Sequence, residues 1–173
     1  MDIKVKAPLT KIDAEKLKAG DSVLLSGIIY TARDAAHKRM VDSLANGEEL
    51  PIDIVNQVIY YAGPAPAKEG QVIGSCGPTT SGRMDAYAPL LIEKGLTGMI
   101  GKGERLDSVV DAMKTYTAVY FGAIGGAGAL ISKCVKSAEV VAYDDLGTEA
   151  IRKLVVEDFP VIVVIDSKGN KIK

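Results

Sequence analysis

The stretch GSCGPTTSGRMD, Gly74 to Asp85, packs three glycines, Pro78, the adjacent Thr79 and Thr80, Ser81 and Arg83 into twelve residues. Glycine lets backbone approach a ligand closely, the threonine hydroxyls can donate, and a guanidinium supplies charge in a planar fork, so the run suits a carboxylate or a phosphate. It sits between an expected strand end and an expected helix start, where free amides and the helix dipole favour an anion. The competing reading is an ordinary turn and N-cap with Arg83 in a surface ion pair. The segment is not a P-loop, because the G-x-x-x-x-G-K-[ST] order is absent.

Two other runs carry compatible chemistry. In TARDAAHKRM, Thr31 to Met40, Arg33 stands at a strand-to-helix junction and His37 follows four residues later on the same helical face. His37 is the chain's single histidine, suited either to proton transfer near neutral pH or to a structural hydrogen bond; Arg33 carries more weight. In GMIGKGE, Lys102 lies between Gly101 and Gly103, a compact charge that either meets an anion closely or faces solvent in a turn. The run GAIGGAG, Gly122 to Gly128, lacks the G-x-G-x-x-G spacing of a dinucleotide loop, and Asp144-Asp145 has no third partner at a metal-binding spacing. Arg33, Arg83 and Lys102 could together neutralise a small polyanion beside Thr79 and Thr80. An electrophile and a strong base are missing, which fits a half-site completed by a partner that carries a metal.

These residues need rigid elements behind them. The patterning predicts a strand at Ile3 to Val5, then a short helix entered at a Thr10/Asp13 capping box and stopped at Gly20. A nearly all-apolar strand follows over Ser22 to Ala32. Arg33 to Gly47 forms a helix with Ala36, Met40, Val41 and Leu44 on its buried face. Strands follow at Val58 to Tyr61 and Gln71 to Gly74, separated by a Pro/Gly/Ala turn, with a break at Gly77-Pro78. Met84 to Lys94 reads as a helix in which Pro89 either kinks the chain or marks the first turn. A short strand at LTGMIGKG precedes an amphipathic helix over Glu104 to Tyr116 that buries Leu106, Val109, Val110 and Met113. TAVYFGAIGGAGALISKCV reads as strand, glycine turn and short helix. AEVVAYDD and FPVIVVIDSKGNKIK are the last strands, and EAIRKLVVED between them fits either helix or strand. The pattern is a single α/β domain spanning residues 1–173, a mixed sheet flanked by helices.

Composition narrows the partners. The 173 residues carry 21 basic and 22 acidic side chains, 47% hydrophobic and 25% charged, with a mean hydropathy of +0.15. That is globular composition, and neither half is a basic surface, so nucleic acid is an unexpected partner. No apolar run approaches the roughly 20 residues that span a bilayer, and the start lacks a signal-peptide core. The expectation is a cytoplasmic protein without a membrane contact. Two cysteines, Cys76 and Cys134, are too few for an iron-sulfur cluster held by this chain alone.

At GSCGPTTSGRMD the sequence resembles the class I, iron-sulfur-dependent fumarate hydratase and L-tartrate dehydratase family, in its beta subunit or carboxy-terminal domain. The likeness runs through LLSGIIYTARDAAHKRM, IYYAGPAP, CGPTTSGRMDAY, MIGKG, FGAIGGAGAL and DDLGTEA, then VEDFPVIVVIDSKGN. It implies a swivelling β/α/β domain beside a separate alpha subunit that holds a four-iron four-sulfur cluster, with an open iron site acting as Lewis acid. By the same resemblance Arg33, Arg83 and Lys102 bind the carboxylates of a small dicarboxylate. Thr79 faces the reacting carbons as the family's proton-transfer residue, Thr80 adds a hydrogen bond, and His37 orients the Arg33 loop from behind.

The implied activity is hydration of fumarate to (S)-malate by a complex of two alpha and two beta subunits. This chain departs from the family pattern at Gly128 in GGAGAL and Thr148 in LGTEA, which bears on the choice between malate and tartrate. The alternatives are the beta subunit of L-tartrate dehydratase, a non-catalytic assembly module, and a stand-alone nucleotide-binding protein.

Overall fold

In a computed structural model of the chain, which describes residues 2–123 and 131–172, five parallel strands follow one another across a sheet. They are β1 (Ile3–Ala7), β2 (Ser22–Thr31), β3 (Val58–Tyr60), β4 (Gly98–Gly101) and β5 (Val119–Ala123). The sheet is mixed because β7 (Ile151–Ile165) runs antiparallel to both β2 and β5, while β6 (Val135–Ala142) pairs antiparallel with β7. Val161 of β7 stands opposite Val23 on one side and Ala123 on the other. The pairings therefore close a ring, β2–β3–β4–β5–β7–β2, with β1 beside β3 on the same edge of β2 and β6 beside β5 on the same edge of β7.

Both faces of β3, β4 and the first half of β5 are covered, which is why they read as continuous apolar runs. Successive residues alternate between two cores. Val58, Tyr60, Ile100, Val119 and Phe121 join Leu25, Ile29, Leu154 and Val163 in a cluster shared by every ring strand, hence inside the ring. Ile59, Tyr61, Met99 and Tyr120 point the other way, onto Met40, Leu91, Val109 and Met113 of the helices. Those helices are α2 (Asp34–Ala45), α3 (Ala88–Glu93) and α4 (Asp107–Tyr116). A fully buried aliphatic side chain contributes about 1.5–3 kcal/mol, so the two-sided strands dominate stability.

Several boundaries differ from expectation. The first helix, α1 (Lys11–Lys16), is entered as expected, with Thr10 Oγ1 accepting from the Asp13 amide at 3.2 Å, but it ends before Gly20. Leu17 turns extended and is buried at 4% exposure, so its side chain gains more in the core than another helical turn would. No strand forms at Gln71–Gly74. Pro64, Pro66 and Pro78 supply no amide to a ladder, and the Ala65 amide to Ser75 carbonyl bond at 2.9 Å ties this loop back on itself. The stretch after Gly77-Pro78 forms a 3-10 turn, Ser81–Met84, and the helix begins only at Ala88 with Pro89 in its first turn, where a missing amide costs nothing. The helix expected from Glu104 starts at Asp107, leaving Leu106 63% exposed rather than on the buried face. Val41 and Leu44 of α2 are only half-buried.

EAIRKLVVED is strand, the first part of the 15-residue β7. Its pattern obeys neither period because the ladder with β2 slips between Leu25 and Gly27, opposite Glu157 and Asp158. Leu154 and Val156 lie on one side of that slip and Phe159, Val161 and Val163 on the other, yet all face the ring interior. The glycine turn expected after β5 falls on residues 124–130, outside those described, and of the short helix expected next, Ile131 and Ser132 are described and helical. Among the described residues no helix is long and apolar enough to cross a membrane.

Candidate functional site

The loops that carry Arg33, Thr79, Thr80 and Lys102 all lie at one end of the sheet, beyond the carboxyl ends of β2, β3 and β4. That is the end where open parallel sheets collect their ligands. Beyond β3, Tyr61 continues the pairing by donating its amide to the Ile100 carbonyl at 2.8 Å and accepting from the Thr79 amide at 2.7 Å. Thr80 then pairs with Lys102 as an isolated parallel bridge, and the Ser81 amide donates to the Lys102 carbonyl at 2.8 Å. The threonine pair and the lysine thus belong to one extension of the sheet. The Thr79 and Ser81 amides are spent on backbone carbonyls and the next helix starts at Ala88, so those amides and that helix dipole are not offered to an anion here.

Arg33 is the N-cap residue of α2, at the strand-to-helix junction expected for it. Its side chain crosses Gly63, where a Cβ would stand 3.0 Å from Arg33 Cδ and 3.0 Å from the Thr148 carbonyl oxygen. A larger residue at 63 would press on the guanidinium stem and the Thr148 carbonyl, each of which would have to give way. Arg83 reaches the same place from the 3-10 turn. Asp34 lies between the two, with Oδ1 3.8 Å from Arg33 Nε and Oδ2 3.9 Å from Arg83 Nη1. Arg33 is 26% exposed at its side chain and Arg83 59%, so one is walled in and the other stands at the rim.

Thr31 Oγ1, Arg33 Nε, Asp34 Oδ1 and His37 Nε2 are buried polar atoms without a hydrogen-bond partner. An unsatisfied buried group costs about 1–3 kcal/mol, so four at one junction make it a costly place in the fold.

His37 is fully buried, and its Nδ1 donates to the Arg33 carbonyl at 2.8 Å. Its ring meets Tyr61 edge-on at 5.3 Å. Burial, which outweighs the help of that carbonyl, lowers its pKa to about 4, and Arg105 lowers it further than Asp34 raises it. The imidazole is therefore neutral at pH 7 and acts on the backbone of Arg33.

A buried network fixes the remaining loops. Arg105 Nε donates to Asp85 Oδ1 at 2.7 Å, Asp85 Oδ2 accepts from the Leu106 amide at 2.8 Å, and Arg105 Nη2 donates to Tyr61 Oη at 3.1 Å. The guanidinium also stacks 4.8 Å from the centre of the Tyr120 ring. Burial alone would favour its neutral form, but Tyr61 and Asp85 hold it charged. Tyr120 Oη is 2.7 Å from Ser81 Oγ and donates to the Gly103 carbonyl at 2.8 Å. The carboxylate next to Arg83, the Ser81 turn and the Lys102 loop are thereby locked to one another. A Cβ on Gly101 would collide with Ser81 Oγ.

Sequence reasoning named Arg33, His37, Thr79, Thr80, Arg83 and Lys102, and the fold brings all six to this end of the sheet. It missed Asp34, Asp85 and Arg105. Asp34 and Asp85 adjoin the two arginine motifs and could have been flagged as their counter-charges; the pairing of Asp85 with Arg105 has no signal in spacing. Among the described residues no three His, Cys, Asp or Glu side chains stand together as a metal set. Cys76 is buried, its thiol pushed up to about 12, and Cys134 is half-buried. Two such cysteines do not fit the ligand set of an iron-sulfur cluster.

The geometry defines an α/β domain whose Arg33, Arg83 and Lys102 gather at the carboxyl ends of parallel strands. The chain belongs to the fumarase C-terminus family, which it matches over residues 1–173. It is 47% identical over 148 residues to the aerobic class I fumarate hydratase of Escherichia coli K12, covering 84% of this chain and 27% of that one. It is 41% identical over 172 residues to fumarate hydratase 2 of Leishmania major, covering 97% and 30%. A Methanocaldococcus jannaschii protein provisionally named L(+)-tartrate dehydratase subunit beta is 42% identical over 170 residues, covering 95% of this chain and 87% of that one. The chain thus spans less than a third of each of the two fumarate hydratases and most of the beta subunit.

Proposed function

We propose that this chain is the beta-type half of a hydro-lyase that interconverts (S)-malate and fumarate plus water, working with a separate cluster-bearing alpha subunit. The observation that carries the reading is the convergence of Arg33 and Arg83 on the Asp34 carboxylate, at the sheet end that also holds Thr79, Thr80 and Lys102. A carboxylate of this chain already sits between the two guanidiniums, so a substrate carboxylate can take its place there and, with Lys102, lose most of its charge.

In this proposal Arg33, walled in over Gly63, sets the orientation of the dicarboxylate, and Arg83 and Lys102 close on it from the rim. Thr80 hydrogen-bonds the substrate, and Thr79 Oγ1 is the atom that carries the proton at the reacting carbon. The chain binds, orients and neutralises. The four-iron four-sulfur cluster belongs to the alpha subunit, since the two cysteines here cannot hold one, and a swivelling motion of this domain would bring the two halves together. Two alpha and two beta subunits form the proposed complex.

A second reading, beta subunit of L-tartrate dehydratase, is favoured by the match to the Methanocaldococcus jannaschii subunit along most of its length. Anaerobic co-expression with the alpha subunit, followed by fumarate hydration and tartrate dehydration assays, decides between them through the ratio of kcat/KM. Fumarate turnover that is lost in Arg83→Ala supports the first reading. A folded complex inert towards both substrates overturns both and leaves an assembly module.

A further inference from the structure

Arg33 occupies a position that asks for two incompatible things. The N-cap of a helix normally carries a short oxygen-bearing side chain that accepts from the N2 or N3 amide. Arg33 has no acceptor, and its side chain is directed across Gly63 instead. The start of α2 would be left with unsatisfied amides behind the residue whose position matters most.

The missing acceptor comes from 114 residues away. Glu149 Oε1 accepts from the Ala35 amide at 3.2 Å, and its carboxylate stands at the positive end of the α2 dipole. Glu149 ends the 3-10 segment Asp144–Glu149, which is fastened to α2 a second time. Arg39 makes a bidentate pair with Asp145, both bonds 2.8 Å, and its guanidinium lies 4.9 Å from the Tyr143 ring centre. Arg152 steadies the segment from the other side by donating to the Thr148 and Gly147 carbonyls at 3.2 and 3.1 Å. The Thr148 carbonyl is the atom that, with Arg33 Cδ, crowds Gly63.

We infer that Glu149 is a positioning residue for Arg33: it caps α2 in place of the arginine and so frees that side chain to grip a substrate carboxylate. The cap and the binding group are two residues because one side chain cannot do both. The role rests on the proposed reading of Arg33 as a carboxylate ligand.

The test compares Glu149→Ala with Glu149→Gln, which keeps an acceptor at the same reach. In the assembled complex, Glu149→Ala should raise KM for the dicarboxylate about tenfold while kcat changes less than about twofold, and Glu149→Gln should restore most of the loss. Amide exchange on the full chain should quicken about tenfold at Ala35, with the α4 amides unchanged and the Arg33 Nε resonance shifted. An unchanged KM in an active complex, or a glutamine variant as impaired as the alanine one, overturns the inference. If the wild-type complex proves inert, the functional reading fails by itself, and the exchange experiment still decides the cap: unchanged protection at Ala35 and an unmoved Arg33 signal overturn it.

Discussion

Arg105 and Asp85 form an ion pair of 2.7 Å in which neither side chain is reached by solvent to any useful extent, at 0% and 3% exposure. The pair joins the turn that carries Arg83 to the loop that carries Lys102. Such pairs contribute little net stability over an apolar replacement, but breaking one half strands a charge. Asp85→Ala should cost about 3–5 kcal/mol in urea unfolding, and Asp85→Leu combined with Arg105→Met should recover much of it. Full stability in the single variant would show that the guanidinium finds another partner.

Gly101 and Ser81 predict a suppressor. Gly101→Ala places a methyl group onto Ser81 Oγ and should destabilise by about 1–3 kcal/mol while displacing the Lys102 loop. Removing the obstructing oxygen in Gly101→Ala/Ser81→Ala should return part of the thermal stability. Equal melting temperatures for the single and double variants would refute the contact.

His37 gives stability a pH dependence of defined sign. Its folded pKa, about 4, lies below the ordinary 6.5, so the unfolded chain binds the extra proton first. The contribution is complete above about pH 6.5 and is lost as pH falls towards 4, up to about 3 kcal/mol. Unfolding measured from pH 7 to 4 should show this slope in the wild type and a flatter one in His37→Asn. A histidine NMR titration with a midpoint near 6.5 would contradict it.

Arg83 is expected to act by geometry as well as charge. In the assembled complex Arg83→Ala should lower kcat/KM by about 10- to 100-fold. Arg83→Lys should recover only a small part, because an ammonium cannot reproduce the planar fork. Lysine performing as well as arginine would reduce the role to a point charge.

The candidate site was legible in the sequence to the extent that its chemistry is concentrated in short runs. TARDAAHKR, GPTTSGR and GKG each sit on a single loop, and the ends of parallel strands bring those loops to one end. What was not legible arises from pairings over long separations: Glu149 under Ala35, Arg105 against Asp85, and the slip in β7 that hid a strand. The expected strand at Gln71–Gly74 failed for a local reason, since neighbouring prolines leave no ladder to join. An anion grip was expected partly from free backbone amides in Gly74 to Asp85, and the sheet extension consumes those of Thr79 and Ser81.

The closed ring has a consequence for how the chain is made. β2 leaves the ribosome well before the strand that seals it, paired through Ser22 with Ile162 and Thr31 with Arg152, which is synthesised about 120 residues later. Until then β2 and β5 each present an unpaired edge. Such non-local closure folds slowly and exposes apolar strands in the interim, so nascent chains stalled before Ile151 should bind chaperones that full-length chains have already left.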